Sequence, residues 1–220
     1  MKKGVVSIMD CQDLRASIVE RKIEEPNINV AYPEVVGLLP PNKNVRYKGV
    51  PEKINQAIQK LVRQMMLEMG ATNPDLAEME GTYKVTLNQN GVLSIRFENF
   101  SFIEMAAHPW TIMRALTFNL KTGNTVDIAS LFKVGSGYRL IISNEIKRQI
   151  KARDIPLIAE FTRINDDQEY YLTDKALVVF FQRATIAPSV AGILEFPIPY
   201  SMLTNVISQE GILAPVVWCK

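Results

Sequence analysis

The sequence predicts an α+β fold, in which antiparallel sheets carry two main helices and form two structural pieces packed as one unit. Two observations lead to this prediction. Apolar residues recur with a helical period in two separate segments, and segments with a strand period lie between and after them. Helices and strands do not alternate regularly, so a doubly wound parallel sheet is not expected. With 220 residues, 47% of them hydrophobic, the chain can bury a substantial core.

Charge and hydropathy exclude several classes of protein. The formal net charge of +2 gives no strong attraction to nucleic acid or to an anionic membrane. Near the amino terminus, Asp10 ends an apolar run that is shorter than the core of a secretory signal. No stretch approaches the roughly 20 apolar residues of a membrane span. The chain as encoded is therefore predicted to be soluble and cytoplasmic.

The N-terminal piece is expected over residues 27–123, after a terminal extension of residues 1–26 that forms either an entry strand or a loosely held arm. Residues 27–32 alternate with period two and predict a short strand before Pro33. Pro51 begins the clearest helix, residues 51–69, and Gly70 ends it. The apolar face of this helix comprises Ile54, Ile58, Leu61, Val62, Met65 and Met69.

An antiparallel meander is expected to follow over residues 79–119. Asn90 and Gly91 are the strongest short signal for a β-hairpin. The long return strand carries Leu93, Ile95 and Phe97 on one parity, but Phe100 and Phe102 on the other, and this change predicts a bulge near Asn99. The third strand covers residues 112–120 and has Arg114 on its apolar face.

The C-terminal piece is expected over residues 124–207, with a helix at 138–153, a second sheet and a short final helix at 200–207. Residues 176–182 are apolar at every position through Phe181, which predicts a central strand covered on both faces. Residues 192–200 are its expected partner, at an edge because of Pro197 and Pro199. The second extension, residues 208–220, has an apolar tail that is expected to dock on the body or on a neighbouring chain.

Few residues in this sequence point to chemistry. The single histidine, His108, excludes a two-histidine zinc site, and no glycine-rich nucleotide motif is present, so neither metal nor cofactor is expected. His108 and Trp110 lie in one loop, where His108 is expected to be an ordinary loop residue, with a contact role at an exposed aromatic loop as the alternative. A hidden hydrolytic site would need carboxylates such as Glu98, Glu104 and Glu195 to pair in three dimensions, but solvated charges are favoured.

Two further features keep alternative interpretations open. The segment G-S-G at residues 135–137 precedes a helix, where backbone N–H groups can hold an anion, although a flexible lead-in to the helix is favoured. Cys11 and Cys219 lie near opposite ends of the chain. Two free thiols are expected, with a disulfide joining the termini as the alternative.

Several motifs, in the same order along the chain, resemble a known family. They are P-E-K-I-N-Q-A-I (51–58), A-L-T-F-N-L-K-T-G-N-T-V-D-I-A-S-L-F (115–132), Y-Y-L-T-D-K-A-L-V-V-F-F-Q (170–182), I-A-P (186–188), A-G-I (191–193) and E-F-P-I-P-Y (195–200). The chain is similar here to the RsiV-like family, which comprises the extracytoplasmic lysozyme-receptor domain of an anti-sigma factor and its relatives. The same module precedes the catalytic domain of some peptidoglycan deacetylases.

This resemblance implies a non-catalytic binding module that contacts a lysozyme-like protein or a peptidoglycan fragment. The loop implied to make the contact consists of Ile186, Ala187, Pro188, Ser189, Val190, Ala191 and Gly192. An aromatic residue commonly follows the proline in relatives, and Ser189 takes that position here. Relatives act outside the cytoplasm, unlike the compartment expected for this chain as encoded. The alternatives are a hydrolase with a hidden carboxylate site and a homo-oligomer assembled through residues 211–218.

Overall fold

The computed structural model describes residues 13–39 and 47–219. Within these ranges the strands form two sheets, one with six strands and one with three, and the predicted α+β class is confirmed. The strands are β1 Arg15–Glu25, β2 Ile28–Leu39, β3 Leu76–Gln89, β4 Val92–Ile103, β5 Trp110–Asn119, β6 Asn124–Thr125, β7 Tyr170–Leu172, β8 Ala176–Phe181 and β9 Leu194–Pro199. The helices are α1 Val50–Glu68, α2 Tyr138–Ala152 and α3 Leu213–Trp218, with 3-10 turns at Ile128–Leu131, Ser189–Ala191 and Tyr200–Met202.

The six-stranded sheet follows the order of the chain, from β1 at one edge to β6 at the other. Residues 15–25 enter this sheet as its first strand, paired antiparallel with β2 over their whole length. The pairing of β2 with β3 is parallel and covers only Ile28–Val30, opposite Met79–Gly81. One face of the sheet packs on the apolar side of α1, where Ile54, Ile58 and Met65 are buried. The antiparallel meander predicted over residues 79–119 corresponds to β3, β4 and β5.

Local signals explain the limits of α1 and of the first hairpin. Gly49, with φ of +80°, precedes the helix, and Pro51 lies in its first turn. Gly70, with φ of +87°, follows its end and lets the chain turn back. Asn90 and Gly91 both have positive φ, as a two-residue type I′ hairpin requires. The helix and hairpin predictions are confirmed.

The predicted bulge near Asn99 is wrong. Strand β4 pairs with β5 in continuous register, and the irregularities lie on β3, between Leu76 and Glu78 and between Val85 and Leu87. Asn99 is buried on the same face as Phe97, whereas Phe100 and Phe102 are half-buried on the other face. Apolar residues therefore occur at both odd and even positions of β4 because both faces of this regular strand are at least partly covered.

The three-stranded sheet has β8 in its centre, with β7 and β9 antiparallel on either side. Every residue of β8 is buried. Leu177, Val179 and Phe181 face the core that α2 covers, whereas Val178 and Phe180 pack against Met113 of β5. The prediction of a central strand covered on both faces is confirmed, and so is its edge partner with two prolines.

The C-terminal tail docks on the body of its own chain. Leu213, Ala214 and Val216 of α3 are buried, and Asn90 Nδ2 donates hydrogen bonds to the carbonyl oxygens of Pro215 and Cys219 at 3.0 and 3.1 Å. The helix expected at 200–207 is shorter than predicted, because only Tyr200–Met202 form a 3-10 turn before irregular turns follow.

Cys219 is disulfide-bonded, so the expectation of a free thiol is wrong at this position. Cys11 lies outside the described residues. Within the described ranges, no helix has both the length and the apolar character needed to cross a membrane.

Candidate functional site

Arg183 joins the two loops that the sequence analysis singles out. It follows β8, and its guanidinium carbon lies 5.4 Å from the ring centroid of Trp110 at the start of β5. Its Nε donates a hydrogen bond to the Ser189 carbonyl at 3.0 Å, and Nη1 donates one to the Pro109 carbonyl at 3.1 Å. One side chain therefore holds the loop before β5 and the loop before β9 against each other.

The seven residues of the predicted contact loop differ in exposure. Ala187 is buried in the core that α2 covers, while Ile186, Pro188, Ala191 and Gly192 are half-buried. Ser189 and Val190 form the tip, where the Val190 side chain is 91% exposed. A 3-10 turn over Ser189–Ala191 and a left-handed Gly192 (φ +67°) shape this tip. The tip is therefore the most exposed part of the loop.

The aromatic loop contributes Trp110 to the same surface. Trp110 is 47% exposed, and one face of its indole is covered by Arg183. His108 is fully on the surface, two residues before Trp110. Among the described residues, no hydrogen bond or ion pair involves His108. The structure brings Trp110 to the predicted loop through Arg183, and it places His108 in the adjoining turn.

A polar cleft of about 490 Å³ lies beside these loops, between β4, β5 and β9. Its floor is an ion-pair network centred on Arg96, whose Nη1 donates to Glu195 at 2.8 Å and whose Nη2 lies 3.7 Å from Glu98. The Tyr171 hydroxyl also donates to Glu195 Oε1, at 3.0 Å. Arg183, Ser189 and Val190 line its mouth.

The network shifts the pKa of two of its members. Burial by itself would lower the pKa of Arg96, but the hydrogen bond and charge of Glu195, with a contribution from Glu98, raise it. Burial, followed by the nearby charge of Glu195, raises the pKa of Tyr171 to about 12. Both groups therefore keep their protons at neutral pH, and the network is a fixed array of donors and acceptors.

The structure brings together two of the three candidate carboxylates. Glu98 and Glu195 share Arg96, whereas Glu104 lies beyond the end of β4, where its backbone N–H donates to the Asp75 carbonyl. Within residues 13–39 and 47–219, no group of three or more His, Cys, Asp or Glu residues could hold a metal ion. The G-S-G segment leads into α2 through Gly135 and Gly137, both with positive φ.

Sequence reasoning missed Arg183, Arg96 and Tyr171 as site residues. Arg96 and Glu98 do carry a signal, since both are charged residues of one parity within an otherwise apolar strand. Arg183 and Tyr171 have no such signal. Arg183 follows the apolar strand β8 and Tyr171 lies within β7, and in neither place do the sequence neighbours indicate the partner. Their roles depend on contacts between residues distant in sequence.

This α+β fold defines a class of domain that is found in other proteins. Residues 129–201 match the family described as "Protein of unknown function (DUF3298)". Two solved structures of DUF3298 family proteins share the fold at 12% sequence identity. The one from Pseudomonas aeruginosa PAO1 has a TM-score of 0.60 and covers 91% of this chain and 96% of its own. The one from Bacteroides fragilis has a TM-score of 0.55 and covers 96% and 99%.

A curated relative makes the assignment more specific. The chain is 27% identical over 204 residues to the anti-sigma-V factor RsiV of Bacillus subtilis (strain 168). This match covers 87% of the chain and 69% of the relative. Together with the DUF3298 match, it confirms the resemblance to the RsiV-like family that the sequence motifs carry.

Proposed function

We propose that this chain is a non-catalytic binding module that contacts its partner through Trp110, Arg183, Ser189 and Val190. We name these four residues the two-loop rim. The observation that carries the proposal is the position of Arg183, which stacks on Trp110 and donates to both loops. Arg183 and Pro109 are 74 positions apart in sequence, and their contact helps hold the two loops as one continuous surface.

The composition of the two-loop rim supports a protein partner. Tryptophan and arginine are the side chains most enriched among energetically dominant interface residues. Val190 adds an almost fully exposed apolar side chain at the tip, which a partner can bury. Arg183 is already held in place, so little conformational entropy is lost when the rim is covered.

The relation to RsiV favours a lysozyme-like protein as this partner, with a cell-wall component as the alternative. It also favours an extracytoplasmic setting for the module. A disulfide at Cys219 supports this setting, because disulfides persist in oxidising compartments and are rare in the cytosol. This proposal replaces the cytoplasmic location expected from the sequence as encoded.

The two alternative functions have less support in the structure. For a hydrolase, one carboxyl group must donate a proton to the leaving group, but Glu98 and Glu195 are both ion-paired with Arg96. For a homo-oligomer assembled through the tail, residues 211–218 must offer an apolar surface. Leu213, Ala214 and Val216 are instead buried in their own chain.

Calorimetric titration against a c-type lysozyme tests the proposal. We expect the unaltered chain to bind, and Trp110→Ala and Val190→Ser each to weaken binding by at least tenfold. Val134→Ser is the matched control, because Val134 is at least as exposed as Val190 and lies before α2, outside the two-loop rim. Absence of binding to lysozyme would refute the lysozyme-like partner. Equal loss of affinity in Val134→Ser would refute the rim as the contact surface.

A further inference from the structure

We propose that the polar cleft beside the two-loop rim binds a sugar that carries a carboxylate group. The carboxylate would pair with Arg183, and the sugar hydroxyls would pair with Arg96, Glu98 and Thr111, which line the cleft. This inference rests on the proposed binding function, but it concerns the cleft and a small ligand instead of the two-loop rim and a protein.

The carboxylate position follows from the surroundings of Arg183. Within the described part of the chain, Arg183 has no acidic partner, and its Nη2 makes no hydrogen bond. Two backbone carbonyls and the Trp110 ring hold the guanidinium in place without neutralising it. A fixed guanidinium with free donors binds a planar carboxylate with two parallel hydrogen bonds. The Arg183 end of the cleft therefore offers a positive charge and free hydrogen-bond donors to one anionic group.

The rest of the cleft favours hydroxyl groups. Arg96, Glu98 and Glu195 form an internally paired network, so a second charge on the ligand would have no partner there. An anion placed next to the two glutamates would be repelled, which leaves the Arg183 end for the acidic group. An apolar ligand would remove these charged groups from water without replacing their hydrogen bonds, at a considerable cost in free energy. Hydroxyls both donate and accept, and can replace that water.

The volume of the cleft also fits a sugar better than an acidic peptide side chain. About 490 Å³ lies within the usual range of small-ligand sites. The carboxylate of a glutamate side chain would engage Arg183 and leave the Arg96 network in contact with water only. A sugar ring with an acidic substituent spans both parts of the cleft.

Two sugars that differ in a single acidic substituent test the proposal. N-acetylmuramic acid carries a lactyl carboxylate that N-acetylglucosamine lacks. In an NMR titration of the full chain, we expect the acid to shift the backbone amides of Thr111 and Gly192, and to bind at least tenfold more tightly than the neutral sugar. Equal binding of the two sugars, or no shift with either, would overturn the proposal. If N-acetylglutamic acid α-amide, which keeps the side-chain carboxylate, binds as tightly as the acidic sugar, the cleft is instead a site for acidic peptides.

Variants separate the cleft from the two-loop rim. Arg183→Gln should remove the preference for the acidic sugar, and Glu98→Gln should weaken binding of both sugars while leaving the two loops joined. Arg63→Gln, on the exposed face of α1, is the control and should change neither. If Glu98→Gln binds both sugars as the unaltered chain does, the cleft is not the sugar site. If no sugar binds but Trp110→Ala still weakens binding to lysozyme, the cleft inference alone fails and the proposed function stands.

Discussion

Gln182 takes the place of a strand partner for Met113 and thereby joins the two sheets. The backbone N–H of Met113 in β5 donates to Gln182 Oε1 at 3.1 Å, and Gln182 Nε2 donates back to the Met113 carbonyl. The same Nε2 lies 3.0 Å from Glu169 Oε2, before β7. Arg183 of the two-loop rim is the next residue, so the contacts of Gln182 also help to position Arg183.

Gln182→Ala should destabilise the protein, because it leaves the buried N–H of Met113 without its partner and leaves Arg114 Nη1 as the remaining donor to the Met113 carbonyl. We expect a loss of about 1–3 kcal/mol in the free energy of unfolding, measured by urea denaturation. Gln64→Ala, an exposed position on α1, is the control and should be close to neutral. If the two substitutions cost the same, Met113 has alternative partners and Gln182 does not join the sheets.

Val179→Ala should cost on the order of 2–3 kcal/mol in the free energy of unfolding, because it deletes methyl groups that are fully buried in β8. Val190→Ala removes the same atoms at the tip of the contact loop and should leave the denaturation midpoint unchanged. Chemical denaturation of the two variants provides the comparison. A neutral Val179→Ala would show that the central strand is not packed on both faces as described.

Gly81→Ala should be destabilising, because β2 and β3 approach each other closely where they pair in parallel. A Cβ atom at Gly81 would lie 2.5 Å from Cγ1 and 3.0 Å from Cβ of the buried Val30, so one of the two strands must shift. We expect a cost of about 1–3 kcal/mol in thermal or urea unfolding. Gly37→Ala in β2 is the control, since nothing lies within 4 Å of the added atom. Equal stability of the two variants would contradict the close approach.

The pKa of Tyr171 predicts a loss of stability at alkaline pH. Burial and Glu195 raise this pKa from 10.0 to about 12, so the folded state retains the proton when the unfolded state has lost it. The corresponding stabilisation is complete below pH 10 and is lost as the pH rises from 10 to about 12. Tyr171→Phe should cost about 1 kcal/mol at pH 8 through the hydrogen bond to Glu195.

Between pH 10 and 12, the stability of Tyr171→Phe should fall less steeply than that of the unaltered chain. Tyr170 and Tyr200 titrate in both proteins, so their contributions cancel in the difference. Denaturant unfolding at pH 8 and pH 11 measures this difference. Parallel loss of stability in the two proteins would show that Tyr171 is not the group responsible.

The elements that follow from local chemistry could be predicted from the sequence. Helix α1 has a continuous apolar face between a proline and a glycine, and β8 is apolar at every position, so neighbouring residues suffice to identify both. The hairpin at Asn90 and Gly91 has the same origin, because its turn type depends on two residues alone. For β1 the sequence does not distinguish a strand from a loosely held arm, since its few apolar residues form a pattern only when β2 lies beside it.

By itself, the sequence determined the α+β class, the two main helices and the buried strand beside its proline-bearing edge partner. The tertiary structure alone decided the parallel pairing of β2 with β3, the stacking of Arg183 on Trp110, and the meeting of Arg96 with Glu195 across 99 positions. Periodicity and turn chemistry are properties of adjacent residues, whereas a site is formed by side chains that only packing brings together. For this chain, that packing depends on a glutamine and an arginine after β8, which hold the second sheet and its loop against the first.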